Sequence, residues 1–159
     1  MGIVESTYAE LKQQELKNNP YSCLHMADIN PHQVEAFTFA LSSLELGGAI
    51  LADEVGLGKT IEAGLVIKYL LCSGKNKILL IMPSNLRKQW QVELEEKFDI
   101  DSLIVDSSNW EDYLAKVKSK QAVIIVSYHF ASKRKTEFGK IAWDFCVFDE
   151  AHRLRNVYK

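Results

Sequence analysis

The stretch Asp53-Glu54-Val55-Gly56-Leu57-Gly58-Lys59-Thr60 decides the fold of this 159-residue chain. It follows the short apolar run 48–52, which is typical of a strand buried on both faces of a sheet. Gly56 and Gly58 permit tight turns with positive φ, so that successive backbone N–H groups can point at one anion. The stretch therefore predicts a phosphate-binding loop between a buried strand and a helix.

Two side chains at the end of this stretch indicate what the loop would bind. Lys59 can carry a positive charge toward the β- and γ-phosphates of a nucleotide, and the Thr60 hydroxyl can ligate Mg²⁺. Residues 60–71 form a helical run whose N-terminus favours the phosphate charge. The general phosphate-loop pattern has Gly where this chain has Asp53. A glycine-rich turn without a ligand is the alternative, but such a turn does not require Lys-Thr at this offset.

A second motif, Asp149-Glu150-Ala151-His152, follows the apolar run 143–148. Carboxylates at the end of a parallel strand lie at the sheet edge where α/β proteins bind ligands. We assign Asp149 to Mg²⁺ through a water molecule, and Glu150 to orienting and deprotonating the attacking water. Lys59 and Glu150 are thus the candidate catalytic residues, with His152 beside the γ-phosphate. The alternative is that Asp149 and Glu150 cap the next helix.

The rest of the chain alternates between apolar runs and helical patterns. Strands are expected near 49–52, 77–82, 102–106, 122–126 and 144–148, with helices between them. This order predicts an α/β fold with a parallel sheet covered on both faces. A helix is also expected from Gln33 to Leu44, with Asn30-Pro31 as its start signal and Gly47-Gly48 as its end signal, and a polar helix from Glu5 to Lys17.

Composition limits the classes of function. With 47% apolar residues the chain can form one good core, and no apolar run is long enough to span a membrane. Cys23, Cys72 and Cys146 are isolated, which excludes the paired spacing of zinc sites and is typical of reduced thiols in the cytoplasm. The net charge of −2 does not by itself indicate nucleic-acid binding.

Taken together, the two motifs resemble the first RecA-like lobe of a superfamily 2 helicase-like ATPase, and within it the Snf2 group. The polymerase-associated bacterial subgroup is the most similar. The resemblance extends from about Asn30 to Asn156, most of the chain. It rests on the following segments: Pro31-His32-Gln33, the run from Leu51 to Gly64, Gln89-Trp90 with Glu93, Phe130-Ala131, and Asp149 to Asn156.

The resemblance implies a RecA-like P-loop fold, a three-layer sandwich with a mostly parallel sheet that is incomplete at the C-terminus. Residues 1–29 would form an N-terminal helix and linker, and residues 30–159 the first ATP-binding lobe, truncated after the second motif. ATP and Mg²⁺ are the implied cofactors. The implied partners are double-stranded DNA, RNA polymerase or another DNA-bound complex, and a second RecA-like lobe missing from this chain. The implied location is the bacterial cytosol near the nucleoid.

Gln33 matches the family glutamine that reads the adenine edge, because a side-chain amide can both donate and accept hydrogen bonds. A surface glutamine on an amphipathic helix is the alternative. The resemblance assigns the remaining nucleotide contacts to Asp53, Glu54, Val55, Gly56, Leu57, Gly58, Lys59, Thr60 and His152.

Two further segments match motifs that contact the nucleic-acid backbone. In the first, Ser84 is a natural N-cap and Arg87 a candidate phosphate contact. In the second, Ser127-Tyr128 follows a predicted strand, and a plain strand-to-helix loop is equally compatible with it. Trp90 and Leu94, at helical spacing, are expected in the core.

The family resemblance implies a lobe of a motor that hydrolyses ATP and moves along duplex DNA without separating its strands. Alone, this chain is expected to bind nucleotide weakly and to turn over little. One alternative is a truncated module that binds ATP or DNA without hydrolysis and regulates a relative. Another is the helicase subunit of a restriction system, which Gln89-Trp90 and the run 61–64 disfavour.

Overall fold

The computed structural model describes residues 31–51, 58–117 and 122–156. They form alternating helices and strands, as the sequence predicts. The elements in chain order are α1 (Pro31–Leu44), α2 (Lys59–Cys72), β1 (Lys77–Met82), α3 (Arg87–Phe98), β2 (Ser102–Ile104), α4 (Trp110–Val117), β3 (Ala122–Ser127), α5 (Tyr128–Lys133), α6 (Lys135–Phe138), β4 (Phe145–Phe148) and a 3₁₀ helix (Ala151–Asn156).

The four strands form a parallel sheet in the order β2-β3-β1-β4. At the centre of the sheet, Leu80 is paired with Ile125 on one side and with Val147 on the other. Parallel neighbours require a crossover between them, which the helices supply. Because all strands point the same way, the residues that follow β1, β3 and β4 meet at one edge.

Apolar side chains cover both faces of the sheet, so the α/β sandwich inferred from the sequence is confirmed. Ile78 and Leu80 pack on one face with α1, α2 and α3, and Leu79 and Ile81 pack on the other. On the second face Trp110 is the centre of an aromatic cluster. Its ring centroid lies 5.4 Å from that of Phe130 and 5.1 Å from that of Phe138.

Helix α2 packs closely against α3 at Gly64. A Cβ atom at this position would overlap the Phe98 ring and lie 2.7 Å from its Cζ. Since Cβ atoms do not approach other atoms so closely, a larger residue would push the two helices apart. The glycine of the run 61–64 therefore serves helix packing.

Helix α1 ends at Leu44, as expected, and the segment that follows it contains two glycines. Gly47 and Gly48 have φ of 103° and 142°, and the Gly48 N–H donates to the Ser43 carbonyl at 3.0 Å. Positive φ is easily reached by glycine, and such bonds satisfy carbonyls at the end of a helix.

The predicted strand boundaries agree at 77–82 and differ elsewhere. The strand at 122–126 extends to Ser127, the one at 144–148 begins at Phe145, and the one at 102–106 ends at Ile104. The Val105 N–H nevertheless still donates to Ile125 at 2.9 Å. The predicted helix from Glu5 to Lys17 lies outside the described residues.

The predicted strand at 49–52 is wrong for the part that the structure describes. Residues 48–51 have no strand structure, and the Ile50 side chain is 87% exposed. A strand needs a hydrogen-bonded neighbour, and none of the four strands pairs with this run. Within the three described ranges, no helix combines the length and the apolar character needed to cross a membrane.

Candidate functional site

The described part of the phosphate-loop motif lies at the start of α2. Gly58 has φ 95° and ψ 31°, a left-handed conformation, and its carbonyl accepts from the N–H groups of Ile61 at 2.7 Å and Glu62 at 3.1 Å. Lys59 and Thr60 follow in the first helical turn and are partly buried. The first N–H groups of a helix lack partners within the helix and favour an anion. Residues Asp53 to Leu57 lie outside the described part of the chain.

Gln33 lies against this turn. Only 2% of the residue is exposed, so the surface-glutamine alternative is wrong. A Cβ atom built at Gly58 would lie 2.7 Å from the Gln33 Nε2. The positive φ of Gly58 therefore favours glycine, and a larger residue there would also displace the Gln33 amide. The structure brings together the predicted adenine-reading residue and the end of the predicted phosphate loop.

Asp149 follows β4 and is held through its backbone and its side chain. Its N–H donates to the Ile81 carbonyl at 3.0 Å. Its Oδ2 accepts from the Trp90 indole N–H at 2.9 Å, and its Oδ1 accepts from the Glu150 N–H at 2.8 Å. The Tyr128 hydroxyl donates to its carbonyl oxygen at 2.7 Å. The Asp149 carboxylate therefore has a defined direction.

Glu150 and His152 extend the site toward solvent. Glu150 has φ 56°, an uncommon conformation for a residue with a side chain. Its Oε2 lies 3.1 Å from the His152 Nδ1, and the two side chains are 43% and 65% exposed. An accessible carboxylate with one neighbouring imidazole can accept a proton from water.

Three of the four predicted nucleic-acid residues line one groove of about 430 Å³ beyond the carboxyl ends of β1 and β3. These are Ser84, Ser127 and Tyr128. Arg87 is not among the lining residues, and its Nε donates to the Ser84 carbonyl at 3.3 Å. The other residues that line the groove are Ile81, Pro83, Asn85, His129, Ala131, Ser132, Phe148 and Leu154.

The prediction that Ser84 caps α3 is wrong. The helix begins at Arg87, and its N-cap residue is Leu86, which makes no side-chain capping bond. A turn intervenes because the Leu86 N–H donates to the Pro83 carbonyl at 3.1 Å. Ser127 caps a different helix, α5, because its Oγ accepts from the Phe130 N–H at 3.1 Å.

Comparisons with known proteins agree with the family resemblance that the sequence motifs indicate. Residues 32–158 match the model of the SNF2-related domain. The chain belongs to this family. The RNA polymerase-associated protein RapA of Yersinia enterocolitica is 34% identical over 151 residues, and that of Serratia proteamaculans is 33% identical over 153 residues. Each match covers 89% of this chain and 16% of the relative, so the chain spans about a sixth of their length.

The fold of this SNF2-related domain is also found in a solved structure, the Sulfolobus solfataricus SWI2/SNF2 ATPase core in complex with dsDNA. The TM-score is 0.71 and the sequence identity is 26%. The match covers 84% of this chain and 28% of the solved chain. The RecA-like architecture inferred from the motifs therefore agrees with a member of the same family.

Sequence reasoning missed two residues of the site. Trp90 was expected in the core and is only 4% exposed, but its indole N–H also reaches Asp149. Tyr128 was considered only as a nucleic-acid contact, yet its hydroxyl bonds to Asp149. A buried indole or phenol usually needs a hydrogen-bond partner, which was the available signal. The partner itself could not be inferred, because it lies 59 and 21 positions away.

The two side chains predicted to bind a metal, those of Thr60 and Asp149, offer oxygen atoms. In the described ranges no group of three or more His, Cys, Asp or Glu side chains could hold an ion. The Thr60 hydroxyl and the Asp149 carboxylate suit a hard cation that keeps most of its ligands from water and phosphate. Oxygen atoms of this kind are the ligands that Mg²⁺ prefers.

Proposed function

We propose that this chain is the ATP-binding lobe of a DNA-dependent, Snf2-like ATPase that couples hydrolysis to movement along duplex DNA in the whole protein. The observation that carries the proposal is the fixed Asp149 at the end of β4, followed at once by the accessible Glu150. Membership of the SNF2-related family supports it. The comparisons favour neither the non-hydrolysing module nor the restriction-system subunit.

The nucleotide would bind at the start of α2. Gln33 would read the adenine edge by donating and accepting at once, which favours ATP over GTP. The loop 53–58 would surround the phosphates with backbone N–H groups, and Lys59 would offset the charge of the β- and γ-phosphates. The position of Gln33 beside Gly58 supports this arrangement.

Thr60 and Asp149 would hold Mg²⁺, with Asp149 acting through water. The bound ion supplies charge stabilisation for the phosphates. Glu150 would orient a water molecule and take its proton at a carboxylate oxygen. His152, 3.1 Å from that carboxylate, would respond to the γ-phosphate and affect the orientation of Glu150.

Nucleic acid would contact the groove through its sugar-phosphate backbone. The groove is lined by Ser84, Ser127 and Tyr128. Arg87, the first residue of α3, follows Ser84 in the chain. The net charge of −2 means that contacts to a few phosphates would be weak and sensitive to salt. The dsDNA in the Sulfolobus structure supports a duplex as the ligand.

The whole protein would also need a second RecA-like lobe, whose arginines stabilise charge on the transferred phosphate. The name of the RapA relatives supports RNA polymerase as a partner, or another complex on DNA. Such a partner would place the protein in the bacterial cytosol near the nucleoid. Residues 1–29 would be an appendage to the lobe formed by residues 30–159.

The proposal is tested by calorimetric titration of Mg-ATP into the chain and into Lys59→Ala. We expect saturable binding by the wild type and a loss of at least about tenfold in the variant, because a charged contact to phosphate is removed. Lys75→Ala is the matched control, since Lys75 is an exposed lysine beyond the end of α2. Equal binding by wild type and Lys59→Ala, or none by a folded wild type, would contradict the proposal.

A further inference from the structure

Two hydrogen-bond donors from distant segments meet on Asp149. Trp90 belongs to α3, which follows the turn at Pro83, and Tyr128 is the first residue of α5. The indole N–H reaches the Asp149 carboxylate at 2.9 Å, and the phenol hydroxyl reaches its carbonyl oxygen at 2.7 Å. Each segment that was predicted to touch nucleic acid therefore sends one side chain to the candidate magnesium ligand.

Tyr128 belongs both to the groove and to the contacts that hold Asp149. It lines the groove together with Ser84 and Ser127, while its hydroxyl donates to the backbone carbonyl of Asp149. Tyr128 is partly buried, and a change of its χ1 rotamer would carry the hydroxyl away from Asp149 and break that bond. An occupant of the groove therefore contacts a residue that is directly bonded to the site.

The bond from Tyr128 fixes more than one atom. The carbonyl of Asp149 and the N–H of Glu150 belong to one planar peptide unit. Tyr128 holds the carbonyl side of that unit, and the Asp149 Oδ1 accepts from the N–H side at 2.8 Å. Turning this peptide would move both the carboxylate of Asp149 and the backbone of Glu150, whose φ is 56°.

We propose that Tyr128, supported by Trp90, is a positioning residue that links occupation of the groove by a nucleic-acid backbone to the orientation of Asp149 and Glu150. This inference rests on the proposed function. A backbone phosphate in the groove restrains the Tyr128 side chain and so favours one orientation of the peptide that follows Asp149. Because binding free energies are reciprocal, bound Mg-ATP strengthens nucleic-acid binding by the same factor.

The test compares Tyr128→Phe with wild type by calorimetry. Mg-ATP is titrated with and without a DNA duplex of about 20 base pairs, two helical turns. We expect the duplex to raise the wild-type affinity for Mg-ATP about fivefold, near the low end for coupled sites. In Tyr128→Phe the ratio of the Mg-ATP affinities with and without the duplex falls to about one, while Mg-ATP still binds.

Tyr113→Phe is the matched control. Tyr113 is a second tyrosine, more deeply buried than Tyr128, and its hydroxyl has no hydrogen-bond partner among the described residues. Its removal therefore leaves the contacts of Asp149 unchanged, and this variant should keep the wild-type ratio. Thermal unfolding of both variants checks that each is folded. A loss of coupling in Tyr128→Phe can then not be explained by unfolding.

A second readout follows the indole N–H of Trp90 by NMR of chain labelled with ¹⁵N-tryptophan. The chain has three tryptophans, and Trp90→Phe assigns the signal. We expect the duplex to shift the Trp90 signal in the wild type but not in Tyr128→Phe. The Trp143 N–H, which donates to the Phe138 carbonyl at 3.0 Å, is the internal control.

The outcomes separate this inference from the proposed function. If the wild type binds Mg-ATP and duplex but shows no coupling, or if Tyr128→Phe keeps the coupling and the indole shift, the inference is wrong and the proposed function stands. If the folded wild type does not bind Mg-ATP, both are wrong.

Discussion

Strands β1 and β4 lie side by side in parallel register, yet the protein holds them in different ways. Residues 78–82 of β1 are all buried, because β1 lies between two strands and under helices on both faces. In β4 partly buried and exposed residues alternate, and Phe148 is 49% exposed. In the described part of the chain, β1 is the only strand that pairs with β4.

Polar contacts at its two ends fix β4 instead. At its start, the Asp144 carboxylate accepts from the N–H groups of Asn76 and Lys77, each at 2.9 Å. At its end, Asp149 bonds to Ile81, Trp90 and Tyr128. The comparison teaches that burial holds the centre of the sheet, whereas directional bonds set the position of the strand that carries the site.

The largest effect is expected from truncating the centre of β1. Leu80→Ala removes a fully buried side chain and should lower the free energy of unfolding by about 2–5 kcal/mol. Its register partner gives the comparison, since Val147→Ala on β4 should cost about 1 kcal/mol. Urea unfolding monitored by circular dichroism measures both. Equal losses would show that burial holds the two strands alike.

A smaller effect is expected at the start of β4. Asp144→Ala leaves the N–H groups of Asn76 and Lys77 without their acceptor, at a cost of about 1 kcal/mol for an exposed site. Asp101→Ala, which removes an exposed loop carboxylate, is the control and should change little. If the two variants lose the same stability, the contacts at the start of β4 do not hold it.

The Asp144 effect should also depend on pH. The Lys77 N–H, and then the Asn76 N–H, lower the pKa of the Asp144 carboxyl below its ordinary value. A lowered pKa means that the contribution to stability is fully present above the unfolded value, about 3.9, and is lost as the pH falls through the folded value. Unfolding titrations should therefore show a constant wild-type advantage from neutral pH down to about 5, shrinking below about 4.

The smallest effect is expected on the outer side of β4. Phe148→Ser should change the free energy of unfolding by no more than about 0.5 kcal/mol, because half of the residue is already in water. The matched change on β1, Ile81→Ser, buries a hydroxyl in the core at the paired position and should cost several times more. Similar values in thermal melts would refute the contrast between the strands.

The sequence was sufficient to predict the buried strands. It was insufficient where strand formation depends on a neighbouring strand to pair with. Residues 78–82 are apolar because both faces of β1 are covered, and the boundaries of this strand were predicted correctly. The run 49–52 is also apolar, but an apolar composition indicates burial and does not supply a neighbouring strand. Ile50, which is 87% exposed, shows the difference.

For the site, the chain order revealed the residue types but not their tertiary contacts. Lys59, Asp149 and Glu150 were predicted as site residues because each follows a local pattern. The bonds from Trp90 and Tyr128 to Asp149 join positions far apart, and only the parallel arrangement of β1, β3 and β4 brings them together. The capping role of Ser84 was wrong because the turn at Pro83 delays the start of α3.

The left-handed backbone of Glu150 has a consequence for anyone who would engineer this domain. A side chain in that conformation costs about 1 kcal/mol relative to glycine, which adopts it freely. Redesign for thermostability would therefore favour glycine at position 150, and the more robust protein would lack the carboxylate proposed to activate water. At this position, a substitution that raises stability would remove the side chain proposed to take part in hydrolysis.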